Sequence, residues 1–187
     1  MTIKKIINLC VGVVILAGIS SLYVPERQDT QEYVLKAAFL YRFIDYVEWE
    51  NNNKEQNFTI AILGESGIIA PLSEIARDKK AKNKRIEIKK YENINDLPAR
   101  QTGGDPFQVL FISQNYNGEI EPVITKTGDR AILVITEKKD ACEKGAHINF
   151  LIAENKLKFE VNLKAASRSN LKISSQLLQH AILVNTP

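Results

Sequence analysis

The chain has 187 residues, of which 44% are hydrophobic and 25% charged. This composition excludes a disordered chain, and the length suffices for one domain with a buried core. The formal net charge is only +3. It falls to about +1 without Lys4 and Lys5, so charge gives no support for a nucleic-acid partner.

The first 21 residues resemble a secretion signal, which predicts export. Lys4 and Lys5 form a positive start, a largely apolar stretch from Ile6 to Ile19 follows, and Gly18-Ile19-Ser20 offers small residues for cleavage. The alternative is an uncleaved anchor, because residues 6–24 are just long enough to span a bilayer.

Removal of that segment leaves Cys142 as the only cysteine of the mature chain. An internal disulfide is then impossible, so a buried core must supply the stability. A lone cysteine in an exported protein is either buried or available for intermolecular pairing, and we expect Cys142 to be buried. A single domain is expected to span residues 30–185.

A helix is predicted from Glu32 to Trp49, with Asp29 or Thr30 as its cap. Four apolar residues recur at the spacing of one helical face and are expected to be buried: Leu40, Phe43, Ile44 and Val47. A second row of mixed character runs beside them: Leu35, Phe39, Arg42, Tyr46 and Trp49. The aromatics of this row belong either to the core and its border or, at Tyr46 and Trp49, to an exposed edge for a partner.

A strand from Phe58 to Leu63, a turn and a helix from Ile68 to Ala76 predict a βα unit. Such turns can present backbone N–H groups to an anion, which makes Gly64, Glu65 and Ser66 candidate ligand-binding residues. The motif is only G-x-x-G, without a third glycine or a downstream acid. A tight turn is therefore the better interpretation, and a nucleotide site is not expected.

Residues 79–90 contain seven lysines and arginines and end in an alternating pattern around Ile86 and Ile88. Runs of this kind can bind nucleic acid or acidic lipid. For an exported chain we favour a solvated loop that leads into an edge strand.

The second half of the chain predicts an α/β sandwich. Short helical turns are expected at 94–97 and 120–125, and the apolar runs 108–112 and 130–136 are typical of strands buried on both faces. Residues 147–152 and 156–163 predict a hairpin around Glu154-Asn155. The order implies a mainly parallel sheet with an antiparallel edge hairpin and flanking helices, a Rossmann-like arrangement.

The stretch Phe159–Gln179 closes the chain with an alternating strand, a short helix over 164–168 and a final apolar helix. Ser174 or Ser175 is a suitable cap for that last helix. Several polar residues alternate with its apolar ones: Glu160, Asn162, Arg168, Ser174, Ser175 and Gln176. They either solvate strand faces and cap helices or, together with Tyr46 and Trp49, form a surface for a partner.

Catalytic and metal-binding patterns are weak. His147 and His180 have no Cys or acidic residue at ligand spacing, so no metal or cofactor is expected. The chain contains an S-x-x-K at Ser169–Lys172 and a KTG at Lys126–Gly128, two motifs of penicillin-binding enzymes. In those enzymes the S-x-x-K precedes the KTG, whereas here the KTG comes first. We expect a protein that is not an enzyme.

Two blocks resemble the start and end signatures of the YfiR family: EYVLKAAFLYRFIDYVEWE at 32–50 and FEVNLKAASRSNLKISSQLLQHA at 159–181. Between them, IAILG, VLFIS, ILVITE and KGAHINFLIAENKLKFEVNL follow in the family's order. The resemblance covers about residues 32–184, nearly all of the mature chain.

The resemblance implies a periplasmic, dimer-forming and non-catalytic regulator. Its partner would be an inner-membrane sensor, a diguanylate cyclase that it represses, which lowers cyclic di-GMP and biofilm formation. A histidine kinase is the other sensor to consider, and the alternative class is a small-ligand-binding module that feeds such a sensor. The studied type of member has cysteine pairs, whereas this mature chain has only Cys142, so redox control is not expected here.

Overall fold

The computed structural model describes residues 26–49, 56–99 and 105–184, with side chains from residue 30 onward. The predicted signal segment lies outside these residues. By its internal contacts the chain divides into residues 1–31 and residues 32–187. The sheet and both hydrophobic cores lie in the second unit.

The first helix, α1, runs from Glu26 to Tyr46. Asp29 and Thr30 lie inside it, so the prediction that one of them caps its start is wrong. The four residues predicted to be buried are all fully buried. The helix also ends earlier than predicted, because Val47–Trp49 forms strand β1 and pairs with Leu171–Ile173. Its Val and Trp side chains suit a strand as well as a helix end, and the pairing decides between them.

The other elements follow in chain order. They are β2 (Asn57–Leu63), α2 (Ile69–Asp78), β3 (Lys80–Ala81), β4 (Lys84–Tyr91), a 3-10 turn (Ile94–Asp96), β5 (Val109–Ile112), α3 (Ile120–Thr127), β6 (Leu133–Thr136), β7 (Ile148–Ala153), β8 (Lys156–Val161), α4 (Leu163–Arg168), β9 (Leu171–Ile173), α5 (Ser175–Leu178) and β10 (Ile182–Leu183).

Eight of the described strands form one sheet in the order β10-β8-β7-β6-β5-β2-β4-β3. The five strands from β7 to β4 are mutually parallel. β8 runs antiparallel to β7, and β3 runs antiparallel to β4. Every residue of β5 and β6 is buried, as predicted for strands covered on both faces. The predicted α/β class with a mainly parallel sheet is confirmed.

Helices cover both faces of this sheet. One core contains side chains of α1, α2 and α5 together with Phe58, Ile60 and Ile62 of β2. The other contains side chains of α3 and the 3-10 turn together with Ala61 and Leu63 of the same strand. Successive residues of β2 pack into opposite layers, because neighbouring side chains of a strand point to opposite faces of the sheet.

The hairpin of β7 and β8 forms as predicted. Glu154 and Asn155 have φ values of +53° and +57°, the left-handed pair that a two-residue hairpin turn requires. Its ladder with β6 stops at Asn149, and the hairpin continues beyond that strand. It forms most of this edge of the sheet, as predicted, because the short strand β10 pairs only with Glu160 and Val161 at the end of β8.

The basic run leads into β4, which is an edge strand from Ile86 to Tyr91 as predicted, because among the described residues that part pairs with β2 alone. The predicted loop before it instead contains the two-residue strand β3, which pairs with Lys84 and Arg85. The final helix, α5, has only four residues, and Ser174 rather than Ser175 is its cap. Strands of two residues carry too little periodicity to be recognised in a sequence.

Cys142 is fully buried, as predicted. Desolvation, and secondarily the negative charge of Glu160, raise the pKa of its thiol to about 12. The thiol is therefore protonated and inert in the folded chain.

Candidate functional site

A groove of about 460 Å³ lies between α1, β8 and α5. Four residues of α1 line one wall at spacings of three and four: Phe39, Arg42, Phe43 and Tyr46. Phe159 of β8 and Leu177 of α5 contribute apolar surface, and the remaining lining residues are polar: Gln176, Gln179 and His180. The groove therefore has an apolar centre with a polar rim, the arrangement of a protein-binding hot spot.

Contacts between the two ends of the domain build this groove. β1 and β9 pair antiparallel with Trp49 opposite Leu171. Directly after β9, the backbone N–H of Ser174 donates to the carbonyl of Tyr46 over 2.8 Å. The Ser174 hydroxyl accepts from the backbone N–H of Gln176 and caps α5. These contacts fix the start of α5 against the end of α1.

Aromatic packing makes the floor of the groove rigid. The ring centroids of Phe43 and Phe159 are 4.9 Å apart, and Phe39 lies 6.0 Å from each. At the rim, the guanidinium of Arg42 lies 5.6 Å from the ring centroid of Tyr46. The Arg42 side chain is 61% exposed and its ion pair with Asp45 is 3.6 Å long, so its charge is accessible to a partner.

Some of the predicted partner-binding residues lie at the groove, and others lie away from it. Tyr46 and Gln176 line the groove, and Ser174 and the exposed Ser175 stand at the start of α5. Trp49 is half-buried with its ring edge-on to Phe58 at 5.5 Å.

Glu160 and Arg168 are accessible but do not line the groove. Phe159 and Val161 pack in the α1 layer, so Glu160 between them points to the opposite face of the sheet, where Asn149 donates to it over 3.0 Å. Arg168 is exposed at the end of α4.

Burial contradicts the prediction that Asn162 belongs to a contact surface. Its exposed fraction is 0%. Its Oδ1 accepts from the backbone N–H of Ala165 as the cap of α4, and its Nδ2 donates to the carbonyl of Cys142 over 2.8 Å. Asn162 therefore serves the interior of the fold.

Several groove residues are not among the site residues predicted from the sequence: Phe39, Arg42, Gln179 and His180. The helical spacing that leads back from Tyr46 to Arg42 and Phe39 was a usable signal, because it places all three on one side of α1. Gln179 and His180 follow α5, whose end no sequence pattern marks.

A second, more polar depression of about 670 Å³ lies at the carboxyl ends of β2, β4 and β5. Chain order reverses between β2 and β5, and in open α/β sheets ligands bind at such switch points. Two of the predicted ligand-binding residues, Gly64 and Glu65, line it with residues of the loops after β4 and β5. Ser66 is not among them, and its hydroxyl accepts from the N–H of Ile68 instead.

Gly64 is required where it stands. Its φ is +85°, and a side chain there would approach Tyr116 to 3.0 Å. Glu65 pairs with Lys90 at the rim, and a hydrogen bond to Glu65 raises the pKa of that exposed lysine. The turn thus forms as predicted, and acidic and amide side chains dominate the depression.

A buried charge network lies beside the same switch point. Lys36 of α1 pairs with Glu137, and their side chains are only 4% and 2% exposed. Lys36 also pairs with Glu32 over 2.5 Å. Glu137 accepts from the hydroxyl of Tyr33 at 3.3 Å and from the backbone N–H of Gln114 at 3.2 Å. Burial opposes the charge of Lys36, but the hydrogen bonds to Glu137 and Glu32 outweigh it and raise the pKa of the amine.

The S-x-x-K and KTG motifs do not form an acyl-transfer site. Ser169 is 2% exposed, and its hydroxyl lies between Nε2 of His147 at 3.1 Å and the carbonyl of Gly128 at 3.2 Å. Lys126 of the KTG donates to the carbonyl of Ile94 instead. Within the described residues, no three His, Cys, Asp or Glu side chains are grouped to hold a metal ion.

A family model described as YfiR/HmsC-like matches residues 33–182. The chain belongs to the YfiR/HmsC-like family. A search of curated proteins gave no matching relative. Both walls of the groove lie within the matched residues, so the groove is part of the YfiR/HmsC-like domain.

Among solved structures, the chain is similar to a conserved domain protein from Vibrio cholerae O1 biovar El Tor strain N16961. The TM-score is 0.50 at 13% sequence identity, and the match covers 82% of this chain. It spans only 60% of that protein's chain. At this identity the likeness supports the fold.

None of the helices within the described ranges has the length and apolar character needed to cross a bilayer.

Proposed function

We propose that this chain is a non-catalytic periplasmic regulator that binds a membrane sensor, a diguanylate cyclase whose activity it represses. The groove between α1 and α5 carries the proposal. It combines an aromatic floor with an accessible arginine, and these residue types dominate binding energy in protein interfaces. Family membership supports a regulatory role, and the buried state of Ser169 and His147 gives no support for catalysis.

In the proposed mechanism the domain acts through binding energy alone. A sensor segment with acidic and apolar side chains would fit Arg42 at the rim and the phenylalanines at the floor. Binding of the regulator to one sensor conformation shifts the sensor's equilibrium by the difference in affinity between its two states. Release of the regulator would then raise cyclic di-GMP.

The test is capture of the sensor from an inner-membrane extract, with cyclic di-GMP measured in a complemented deletion strain. Arg42→Glu reverses the charge at the rim, and Gln176→Glu adds a negative charge beside it. Together they should weaken capture of the sensor at least tenfold, about the effect of losing one interface hot spot. Cyclic di-GMP should rise to the level of the deletion strain. Lys164→Glu, a charge reversal at an exposed site outside the groove, is the control and should behave as wild type.

Glu160→Lys distinguishes the two surfaces on which predicted partner residues lie. Because Glu160 faces away from α1, this variant should retain capture and regulation if the groove is the interface. Loss of regulation in Glu160→Lys, with a wild-type response in the groove variant, would move the interface to the opposite face of the sheet. Wild-type behaviour of both variants, or no sensor captured by the wild-type protein, would contradict the proposal.

The second candidate function is a small-ligand-binding module, which the depression at the switch point favours. Its size is typical of ligand pockets, and Glu65, Glu92 and several amide side chains line it. A thermal-shift screen of amino acids, vitamins and wall fragments tests this candidate. A hit that Glu65→Gln weakens would support it, and a screen without hits would leave the sensor-binding groove as the better explanation.

A further inference from the structure

The β3–β4 hairpin concentrates positive charge at one end of the sheet. Residues 79–85 contain five of the chain's 25 Lys and Arg and none of its 22 Asp and Glu, so the rest of the chain carries two net negative charges. Four of the five side chains belong to exposed residues: Lys79, Lys80, Lys82 and Arg85. The fifth, Lys84, belongs to a partly exposed residue.

Among the residues that the structure describes, no ion pair is formed by the four exposed cations of the hairpin, Lys79, Lys80, Lys82 and Arg85. Lys80 stands directly opposite Arg85 in the ladder, and like charges in that position repel each other. Within the described residues, the ion pairs of neighbouring acids go to other cations: Asp45 to Arg42 and Glu87 to Lys89. Lys82 donates to a backbone carbonyl, that of Asp45, at 3.4 Å.

The hairpin presents its cations in several directions. Lys82 and Asn83 hold left-handed φ values of +49° and +64°, which close a two-residue turn with a lysine at its tip. Ala81, opposite Lys84, is buried in the α1 layer, so Lys80 and Arg85 point to the other face of the sheet. The cations thus lie at the turn and on the face of the sheet opposite α1, whereas a specific anion site would direct its cations toward one point.

Two aromatic side chains border the hairpin. The ring of Trp49, the only tryptophan of the chain, lies 5.7 Å from Nζ of Lys82. The hydroxyl of Tyr41 donates to the carbonyl of Lys80 over 3.1 Å. Tryptophan and tyrosine beside clustered lysines are the composition of a membrane–water interface.

We propose that the β3–β4 hairpin docks the protein onto an anionic lipid surface. A sheet edge whose exposed cations, Lys79, Lys80, Lys82 and Arg85, lie in several directions suits a delocalised negative surface, because such a surface attracts charge without requiring fitted geometry. An acidic protein partner would need complementary apolar contacts, which the hairpin tip does not offer. Docking there would hold the domain beside a membrane-embedded partner and raise its local concentration.

The first measurement is sedimentation of the exported full chain with vesicles of phosphatidylcholine alone or with 30% phosphatidylglycerol, about the proportion of a strongly anionic membrane. Binding should require the anionic lipid and disappear in half-molar salt, roughly where screening shortens the Debye length to a few ångströms. Lys79→Gln/Lys80→Gln/Arg85→Gln should weaken binding by tenfold or more, since each cation near the surface contributes about fivefold.

The matched control removes three exposed lysines elsewhere, Lys139→Gln/Lys156→Gln/Lys164→Gln, and gives the same net charge. It should bind like wild type. Equal binding of the hairpin and control variants would overturn the proposal, because net charge or another segment would then explain it. The groove variant Arg42→Glu/Gln176→Glu should retain vesicle binding. Failure of the membrane-docking proposal can therefore be distinguished from failure of the regulatory proposal.

Trp49 supplies a local readout. Shallow spin-labelled lipid should quench its emission in anionic vesicles and leave it unchanged in neutral ones. Sedimentation without quenching would place the membrane contact elsewhere and overturn the assignment. The membrane proposal would also be overturned if the wild type did not bind vesicles and capture of the sensor depended on the hairpin. The hairpin would then bind an acidic protein partner.

Discussion

His147 is a histidine whose surroundings keep it neutral. Its exposed fraction is 4%, and its Nδ1 accepts from the backbone N–H of Val134 at 2.9 Å. Nε2 therefore carries the proton and donates to Ser169, whose hydroxyl can pass a hydrogen bond to the carbonyl of Gly128. Desolvation, with a smaller effect of Arg168, lowers the pKa of His147 to about 4.

This lowered pKa predicts a pH-dependent stability. The unfolded chain binds a proton at His147 below about pH 6.5, whereas the folded chain resists it until about pH 4. The free energy of unfolding should therefore fall as pH drops through that window, by up to about 3 kcal/mol. Urea denaturation of wild type and His147→Gln measures it, and the variant should lack this part of the slope.

His180 provides the control, because it is the only other histidine and is exposed. His180→Gln should keep the wild-type slope. An unchanged slope in His147→Gln would show that carboxylates produce all of the acid sensitivity.

At the scale of elements, Asn162 connects β8, α4 and the loop around Cys142. Its side chain caps α4 and also satisfies a buried carbonyl. This double role explains why a polar residue occupies a fully buried position. It accounts for one of the polar residues whose alternation with apolar ones had suggested a contact surface.

Asn162→Ala should destabilise the protein by about 2–3 kcal/mol, since it removes a cap and leaves buried polar groups without their partner. The midpoint of urea unfolding, interpreted with an unchanged m-value, measures this loss. Ser167→Ala, at an exposed position of the same helix, should cost less than about 0.5 kcal/mol. A loss of similar size in both variants would contradict the capping role.

At the scale of the whole molecule, the pair of Lys36 and Glu137 ties α1 to the carboxyl edge of the sheet. Tyr33 reinforces the tie, because its hydroxyl donates to Glu137 and its ring lies against the backbone of Gly67, leaving no room for a side chain there. Most of the apolar contact of α1 comes from later residues such as Leu40 and Ile44. The charge network therefore positions the beginning of the helix in this unit.

Lys36→Met should cost about 3–5 kcal/mol, since it leaves the carboxylate of Glu137 buried without its counter-ion. The double variant Lys36→Met/Glu137→Gln should recover much of that loss. Denaturation of wild type, the double variant and the single variants Lys36→Met and Glu137→Gln completes a double-mutant cycle. The exposed pair Lys158–Glu154 is the reference, with an expected coupling below about 1 kcal/mol. If the coupling energy of Lys36 and Glu137 were no larger than that of the exposed pair, the buried network would add nothing to stability.

The elements with strong periodicity could be predicted from the amino-acid sequence. The buried face of α1, the apolar strands β5 and β6, and the Glu154-Asn155 hairpin follow from local patterns, because each is repeated over several residues or rests on specific turn chemistry. The two terminal signatures were likewise sufficient to indicate the YfiR family.

Which residues come together depends on contacts between elements that are distant in the chain. Val47–Trp49 becomes a strand because Leu171–Ile173 lies beside it, and that same pairing joins the two ends of the domain to make the groove. The burial of Asn162 and the pairing of Lys36 with Glu137 likewise depend on side chains distant in sequence. Such contacts are set by the packing of layers, which local spacing does not encode.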